Sequence, residues 1–320
     1  MAGLPMELAA ALQALTEEAG GARLEKDAKA ISEAYRLRTG TGSRLLTRES
    51  EAAAYAAARM PATYEAARAA LESALAASGL APRTLLDCGA GTGAAGWAAD
   101  SLLELEEITC LEREDAMRAV GGRLMQAGGD ALLHAVWQAF DLTDAKPLGS
   151  AELVVEGYML GELAEEMRLP VAKKLWDACT QMLVLIEPGT PQGFANLAAV
   201  RRELAGLGAY VAAPCPAGCR VCPMAGEDWC HFAVRVQRTK LHKALKGGDA
   251  PYEDEKFCYL ALTRTPPAAA CAARVLRHPL IAPGRITLTV CEAGEKKTRV
   301  VTKKDPLWKL ARKIGAGDAL

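Results

Sequence analysis

The segment 83–96 constrains the fold more than any other, because a short apolar run at 83–88 ends in a cluster of glycines and leads into a helical stretch. This pattern is typical of a buried parallel strand followed by a tight strand-to-helix turn. Further strand-like runs lie near 108–112, 132–137, 152–156 and 182–187, and helical stretches separate them. Strands that alternate with helices predict βαβ units and a parallel sheet with helices on both faces.

Two regions flank this alternating core. Residues 6–77 are rich in Ala, Leu and Glu and poor in β-branched residues, which predicts helices. After residue 210 a loop rich in Pro, Cys and Gly follows, and then two more strand-like runs at 256–263 and 285–291, the second suited to antiparallel addition. We predict an N-terminal helical region at 1–80, a Rossmann-like core at 81–210, and at 211–320 a Cys-rich metal-binding module whose basic C-terminal part completes the sheet.

The glycine turn has the composition of a nucleotide-cofactor site. Gly89, Gly91 and Gly93 let the backbone approach a ligand where the next helix offers free N–H groups. The sequence also satisfies the dinucleotide pattern G-x-G-x-x-A, and a purely structural turn is a third possibility. Asp87 favours S-adenosylmethionine, because an acid before the glycines suits an ammonium group and repels a pyrophosphate. The α/β pattern is thus interpreted as a class I S-adenosylmethionine-dependent methyltransferase sheet.

Two more acids are predicted to line the cofactor. Glu112 ends the second strand, where a carboxylate accepts hydrogen bonds from ribose hydroxyls, and Asp141 follows the third strand, near the expected adenine position. The predicted cofactor-binding residues are therefore Asp87, Gly89, Gly91, Gly93, Glu112 and Asp141.

The loop after the fourth strand, at 156–163, stands where a methyl acceptor would be presented, because ligands gather at the carboxyl ends of parallel strands. It lacks the Asn/Asp-Pro-Pro-aromatic sequence that commonly holds an amino acceptor, and no convincing Cys nucleophile lies beside it. Glu156, Tyr158 and Glu162 are the candidate catalytic residues, either as polar contacts of an acceptor or as neighbours that cap helices. The chemistry of the acceptor is left open.

Cysteines form a second candidate site. Of the ten, Cys215, Cys219, Cys222 and Cys230 lie close together in one loop, and thiols at this spacing in a reducing compartment usually share a metal. Zinc would accept Cys219 and Cys222 with Cys230 and either His231 or a distant Cys, whereas an iron–sulfur cluster would take four thiolates. Spacing alone leaves zinc, a cluster and metal-free thiols as alternatives.

Charge is divided unevenly along the chain. The net charge of −1 combines 18 basic and 8 acidic residues at 231–320 with 20 basic and 31 acidic residues at 1–230. A basic C-terminal part favours a polyanionic partner, although a solvated surface has the same composition. No apolar run approaches the ~18 residues of a membrane helix, and the N-terminus lacks the basic start of a signal peptide. We expect a cytoplasmic protein without membrane contact.

Several motifs together resemble those of a known family, the methyltransferase-like assembly factors of the small ribosomal subunit found in mitochondria and in many bacteria, and the chain is similar to a bacterial member. The motifs are Tyr35-Arg36, the segment 58–64, the glycine loop from Asp87 to Gly93, Gly161-Glu162-Leu163, the segment 187–194, the Cys loop with 228–232, and the segment 253–257. They cover the chain from about residue 30 to residue 310.

The resemblance implies a [4Fe-4S] cluster. Its ligands, carried over by position, are Cys215, Cys222, Cys230 and Cys291, the last at the end of the second late strand. The additional Cys219 leaves the first ligand open between Cys215 and Cys219. The Trp-Gly-Asp sequence expected near the C-terminus is present only as Gly317-Asp318.

Two functions follow from these features. The first is a methyltransferase acting on small-subunit ribosomal RNA, with a basic C-terminal half that docks phosphates. The second is a non-catalytic iron–sulfur assembly factor that binds the same cofactor and RNA. An NAD-dependent reductase with a zinc knuckle is a weaker alternative, because Asp87 would face a pyrophosphate. The predicted partner is the small ribosomal subunit and a monomer is favoured. The predicted RNA-binding residues are Arg235, Arg238, Lys240, Lys243, Lys246, Lys303 and Lys304.

Overall fold

The computed structural model describes residues 3–20, 26–27, 48–217, 219, 221–224, 228–238 and 250–320. Lys240, Lys243, Lys246 and the Tyr35-Arg36 motif lie outside the described residues. Within the described residues the main sheet has eight strands: β1 (Thr84–Cys88), β2 (Glu107–Glu112), β3 (Val136–Ala139), β4 (Ala151–Gly157), β5 (Cys179–Pro188), β6 (Tyr210–Ala213), β7 (Phe232–Gln237) and β8 (Tyr252–Thr263).

The strand order across the main sheet is β3-β2-β1-β4-β5-β8-β6, and β7 also pairs with β8. Strands β1 to β5 are parallel, whereas β8 is antiparallel to β5, β6 and β7. A parallel sheet whose order reverses between β1 and β4 is the doubly wound, Rossmann-like arrangement. The antiparallel β8 between β5 and β6 is the form that class I methyltransferases have. The predicted class I, Rossmann-like α/β sheet is confirmed, and the metal-binding character of the Cys-rich insertion stays a prediction.

Helices cover both faces of this sheet. The described helices are α1 (Met6–Ala19), α2 (Glu49–Ser78), α3 (Ala94–Asp100), α4 (Asp115–Met125), α5 (Asp130–Leu133), α6 (Glu165–Ala178), α7 (Pro191–Gly206) and α8 (Trp308–Ala311), of which α8 lies outside this sheet. Leu85 and Val155 are buried with α2 to α4 on one face, and Leu86 and Val154 are buried with α6 and α7 on the other. Successive strand residues face opposite sides, so alternate positions supply the two cores. None of the described helices combines the length and apolar content needed to cross a bilayer.

The long helix α2 belongs to the predicted N-terminal helical region. Most of its buried residues are alanines, which let the helix approach β7 and β8 closely. It continues through Pro61 and ends at Gly79, whose positive φ of 70° allows its N–H to donate to the Leu75 carbonyl at 2.9 Å. Helices α1 and α2 confirm the predicted helices of 6–77 where the chain is described.

The third strand begins later than predicted. Residues 130–133 form α5, and β3 spans Val136–Ala139 rather than 132–137. The Leu132 side chain is buried and packs on Gly128. A Cβ at Gly128 would lie 2.5 Å from it. The apolar pair at 132–133 thus serves a helical turn, because periodicity over so short a run does not separate a strand from a helix.

The run 285–291 forms a strand of a separate sheet, the small sheet. Its strands are β9 (Ala273–Val275), β10 (Leu280–Ala282), β11 (Arg285–Glu292) and β12 (Glu295–Thr302). Two-residue turns on both sides of β11, with positive φ at Gly284 and Gly294, give both of its edges local partners. Therefore β8 completes the main sheet, as predicted, and β11 does not; it carries Cys291 in the small sheet instead.

Candidate functional site

The glycine loop, residues 89–93, joins β1 to α3 at the edge where the strand order reverses. Gly89, Gly91 and Gly93 have φ of 70°, 57° and 86°, a region that side chains rarely adopt. A Cβ on Gly89 would lie 3.1 Å from the side chain of Met159, in the loop after β4. The backbone conformation therefore requires glycine, and the two loops that flank the reversal point pack on each other.

Asp87 lies behind the glycine loop and is only 1% exposed. Its Oδ2 accepts a hydrogen bond of 3.1 Å from the Gly96 N–H, which holds α3 against β1. Burial, and secondarily the charge of Glu112, raises the pKa of Asp87 to about 7, and the Gly96 hydrogen bond opposes this shift. The structure gives Asp87 a supporting contact beneath the loop, and its predicted pairing with a cofactor ammonium stays a prediction.

We expect Asp87→Asn to flatten the dependence of stability on pH. A carboxyl whose folded pKa is about 7 instead of 3.8 contributes stability that is present at low pH and is lost as pH rises through the folded pKa. Asparagine cannot ionise and keeps an oxygen for Gly96. Between pH 5 and pH 8 the variant should lose about 3 kcal/mol less of its unfolding free energy than wild type. Urea denaturation at the two pH values measures this, and equal slopes would contradict it.

Glu112 ends β2 beside the glycine loop, where its position in the sequence predicted it. Its Oε2 accepts from the Gly91 N–H at 2.9 Å and its Oε1 from the Glu114 N–H at 2.8 Å. Asp141 follows β3 and lies 3.9 Å from the Arg113 guanidinium. The structure thus places the Glu112 carboxylate against the glycine loop and Asp141 one strand further along the same edge.

Glu156 ends β4 and is fully buried, with an exposed fraction of 0%. Its Oε1 accepts from the N–H groups of Met159 and Leu160, at 2.6 and 3.1 Å, and its Oε2 has no partner among the described residues. The next strand contributes Glu187, which accepts from the Gly161 N–H at 3.2 Å. Burial raises the pKa of Glu156 well above its usual range, followed by the charge of Glu187. Both carboxylates shape the backbone of the loop from beneath.

The Tyr158 side chain is bonded to β8, a contact that the local sequence pattern did not predict. It has a positive φ of 65°, and its hydroxyl donates to Glu255 of β8 at 3.4 Å. Glu255 in turn pairs with Arg59 of α2 at 3.1 Å. The acidic run 253–255 is the sequence feature that could have indicated this contact, because it lies in one of the motifs and had no role assigned to it.

Glu162 lies in the loop after β4, and its carboxyl interacts electrostatically with Glu112. Burial raises its pKa to about 7, and the charge of Glu112 adds to the shift while Arg113 opposes it. A carboxyl with a pKa near neutrality can hold or accept a proton at physiological pH. Of the three catalytic candidates, Glu162 alone combines such a pKa with proximity to Glu112.

Six cysteines line one cavity of about 70 Å³. They come from the Cys loop, from β8 and from β11: Cys215, Cys219, Cys222, Cys230, Cys258 and Cys291. Cys219 is buried and accepts thiol hydrogen bonds from Cys215 and Cys291, which lower its pKa. The thiol of Cys258 donates to the Cys230 carbonyl at 3.1 Å. The chain therefore brings the loop thiols and the distant Cys291 together, and all ten cysteines are free.

In the described residues, no three His, Cys, Asp or Glu side chains stand in a geometry that would hold a single metal ion. The C-terminal end of the Cys loop is nevertheless held by two side chains. Trp229 donates from Nε1 to the Gly189 carbonyl at 3.1 Å, and Asp228 pairs with Arg277 and Lys296 of the small-sheet region. The thiols thus lie on a scaffold tied to β5 and to the small sheet.

The predicted RNA-binding residues fall into two groups. Arg235 pairs with Asp254 at 2.9 Å and lies over the Tyr252 ring, and Arg238 pairs with Glu253 at 2.9 Å. Lys303 and Lys304 are exposed at the end of β12 and form no ion pair with another described residue. Arg235 and Arg238 are therefore neutralised within the chain, whereas the two lysines are available to an anion.

One protein-family model matches this chain over most of its length. The model described as "Mitochondrial small ribosomal subunit Rsm22" matches residues 49–320. The chain belongs to this family. This Rsm22 family member is similar to the human protein "Ribosome assembly protein METTL17, mitochondrial". The two are 28% identical over 316 residues, which cover 92% of this chain and 68% of the relative. The matched range includes the glycine loop, the cysteine cavity and the small sheet.

Two solved structures with a similar fold have a lower sequence identity to this Rsm22 family member than the human relative has. Magnesium protoporphyrin IX methyltransferase from Synechocystis, with bound SAM, gives a TM-score of 0.38 at 11% identity, covering 75% of this chain and 97% of that one. Ribosomal protein L11 methylase from Lactobacillus delbrueckii subsp. bulgaricus gives 0.39 at 16% identity, covering 63% and 79%. At these scores the fold assignment rests on the strand order of the chain itself.

Proposed function

We propose that this Rsm22 family member is an S-adenosylmethionine-binding, methyltransferase-like factor that acts in small-subunit assembly by binding ribosomal RNA. The family match over residues 49–320 carries the proposal, because that range holds the glycine loop and the cysteine cavity in one chain. The name of the human relative, a ribosome assembly protein, supports the same role. The division at residues 80 and 210, the monomeric state and a cytoplasmic location stay predictions, and the relative is named mitochondrial.

The proposed cofactor site consists of the glycine loop and three acids: Asp87, Gly89, Gly91, Gly93, Glu112 and Asp141. Glu112 is the proposed acceptor of hydrogen bonds from the ribose hydroxyls, and its contact with the Gly91 N–H of the glycine loop supports this role. Asp87 supports the loop from behind through Gly96. Methyl transfer would need the acceptor aligned with the sulfonium in the loop at 156–163, where Glu162 is the candidate proton acceptor.

We expect Glu112→Gln to weaken S-adenosylmethionine binding by about ten- to a hundredfold. The amide loses the charge that strengthens hydrogen bonds from ribose hydroxyls, and such bonds contribute about 1.5–3 kcal/mol. Isothermal titration of the two proteins gives the ratio of dissociation constants. Glu107→Gln is the matched control, because this exposed glutamate begins the same strand at its other end. Equal affinity of wild type and Glu112→Gln would remove Glu112 from the site.

A non-catalytic role is the second candidate function, and the acceptor loop favours it. Glu156 is sealed beneath the loop and Tyr158 is engaged by Glu255, so two of the three catalytic candidates have structural tasks. The test incubates the protein and methyl-labelled S-adenosylmethionine with immature small subunits. Label in RNA that depends on Glu112 and Glu162 would establish the methyltransferase, whereas binding to subunits without label would establish the non-catalytic factor.

The proposed RNA contact is carried by exposed cations of the C-terminal part. Lys303 and Lys304 are the described members, because Arg235 and Arg238 already have acidic partners. We expect Lys303→Ala with Lys304→Ala to reduce the salt slope of RNA binding by between one and two units, since each lost phosphate contact lowers the slope by about 0.7–0.9. Arg235→Ala is the comparison and should change the slope less. The reverse ranking in filter-binding titrations would move the docking surface to β7.

The proposal includes a [4Fe-4S] cluster held by Cys222, Cys230, Cys291 and either Cys215 or Cys219. The donor set fits, because these thiols line one cavity and Cys219 contacts both Cys215 and Cys291. A cluster binds each thiolate through a different iron atom, so its ligands need not converge on one point as zinc ligands do. This agrees with the lack of a single-ion geometry among the described residues. When bound, the cluster would link the Cys loop covalently to β11.

Anaerobic purification tests the nature of the centre. Brown protein with iron and sulfide in equal amounts and a broad visible absorption would support the cluster. Colourless protein with one zinc ion per chain would replace it by the zinc alternative. Protein free of both would leave the cysteines as reduced thiols and remove the metal from the proposal.

A further inference from the structure

Arg274 of β9 is a buried cation without an acidic partner in the described part of the chain. Its exposed fraction is 7%. Nε donates to the Pro214 carbonyl at 2.8 Å and Nη1 to the Gly317 carbonyl at 3.0 Å. A guanidinium does not lose its proton in a protein. Carbonyl hydrogen bonds solvate it but supply no countercharge, so its burial is costly unless a negative group lies nearby.

The cysteine cavity is where that negative charge can lie. Arg274 lines the cavity together with Cys215, Cys230 and Cys291. Its guanidinium therefore lies in the wall of the cavity that the proposed thiolate ligands share.

A second guanidinium lines the cavity from α7. Arg201 donates from Nη2 to the Cys219 carbonyl at 2.6 Å, and the same nitrogen lies 3.9 Å from the Cys219 sulfur. Four thiolates around a doubly charged centre, whether Zn²⁺ or the oxidised cluster core, leave two negative charges uncompensated. The guanidinium of Arg274 at the cavity wall matches that excess in sign, and Arg201 places a second guanidinium beside Cys219.

We propose that Arg274, with Arg201, is the buried countercharge of the metal–thiolate centre. The inference rests on the proposed function, which supplies the centre, and adds residues that are not ligands. Arg274 is a positioning residue: it stabilises the charged site and, through Pro214 and Gly317, fixes the Cys loop and the C-terminal residues around it. The Gly317-Asp318 tail is accordingly docked, since Gly317 also donates to the Val275 carbonyl at 2.8 Å.

The test separates charge from hydrogen bonding. Arg274→Lys keeps the charge and loses the fork, whereas Arg274→Met keeps the length and loses both. Arg264→Met is the matched control, because Arg264 also donates to two backbone carbonyls but lies outside the cavity. Full-length proteins are purified anaerobically, and iron, sulfide and zinc are counted per chain. A redox titration follows for iron-loaded protein, or a chelator challenge for zinc-loaded protein.

In iron-loaded protein, we expect Arg274→Met to shift the one-electron reduction equilibrium of the cluster at least tenfold toward the oxidised form, a change of 59 mV in reduction potential. In zinc-loaded protein, we expect the variant to lose its metal at least tenfold faster than wild type. Arg274→Lys and Arg264→Met should stay within threefold of wild type. Loss of metal in Arg274→Met with retention in Arg274→Lys also supports the countercharge. Equal damage in both variants would reduce Arg274 to a hydrogen-bonding role, and no damage in either would overturn the inference. Metal-free wild type would instead remove the metal centre from the proposed function, on which the inference rests.

Discussion

Replacement of Cys291 by serine is expected to abolish metal binding and to loosen two distant segments together, the Cys loop and β11. A shared metal makes the order of each segment depend on the other, since binding energy at a structural site is also folding energy. Cys291 lies on β11 and contacts Cys219 across the cavity. We expect the unfolding free energy of the metal-loaded protein to fall by about 5 kcal/mol or more, a fraction of the about 10 kcal/mol typical of structural metal sites.

Hydrogen exchange of wild type and of the variant, each purified under the conditions that load wild type with metal, measures this coupling. In Cys291→Ser, amides of 213–232 and of β11 should lose protection by similar factors, while the main sheet keeps its own. Cys179→Ser is the matched control, because this buried cysteine of β5 lies outside the cavity. If only β11 exchanged faster and the metal remained, Cys291 would not be a ligand.

Gly189→Ala is expected to lower the unfolding free energy by about 4 kcal/mol. A Cβ at Gly189 would lie 2.7 Å from backbone atoms of Lys256 and Phe257, so β8 would have to move. Overpacking against a backbone costs about 1–3 kcal/mol. The movement would also strain two hydrogen bonds of Gly189, from its N–H to the Lys256 carbonyl and from Trp229 to its own carbonyl, each contributing about 1 kcal/mol.

The measurement is urea denaturation with a common slope, supported by exchange of the Cys loop. Because Trp229 anchors that loop to Gly189, its amides should lose protection in the variant even where the main sheet is intact. Gly149→Ala serves as control, since a Cβ there meets nothing within 4 Å. An unchanged midpoint in Gly189→Ala would mean that β8 has room the structure does not show.

The parallel core was predictable because each of its strands is a short apolar run bounded by turns. The alternation predicts parallel βαβ units, and the structure adds their order, β3-β2-β1-β4-β5. Two features were not predictable from local pattern. Leu132 satisfies a helix or a strand equally well, and the pairing of β11 depends on which partners its turns bring close. Hairpin turns decide such pairing before any long-range contact forms.

The site was predictable where backbone conformation demands a residue type. Gly89, Gly91 and Gly93 need positive φ, and Glu112 stands at a strand end that the pattern located. The contacts of Arg59 with Glu255 and of Arg274 with Gly317 join residues almost 200 and more than 40 positions apart. No periodicity encodes such partners, because the packing of whole elements sets them. The pairing of Arg235 with Asp254 likewise depends on the register of β7 and β8.

The placement of β11 imposes an order on how the proposed centre is completed. Its hairpins close on residues up to Thr302, so the last thiol enters the cavity only after the ribosome has translated that far. At roughly 5–20 residues per second, the loop thiols wait several seconds for Cys291. The proposed metal ligands would therefore be complete only after β11 and β12 have been synthesised and paired.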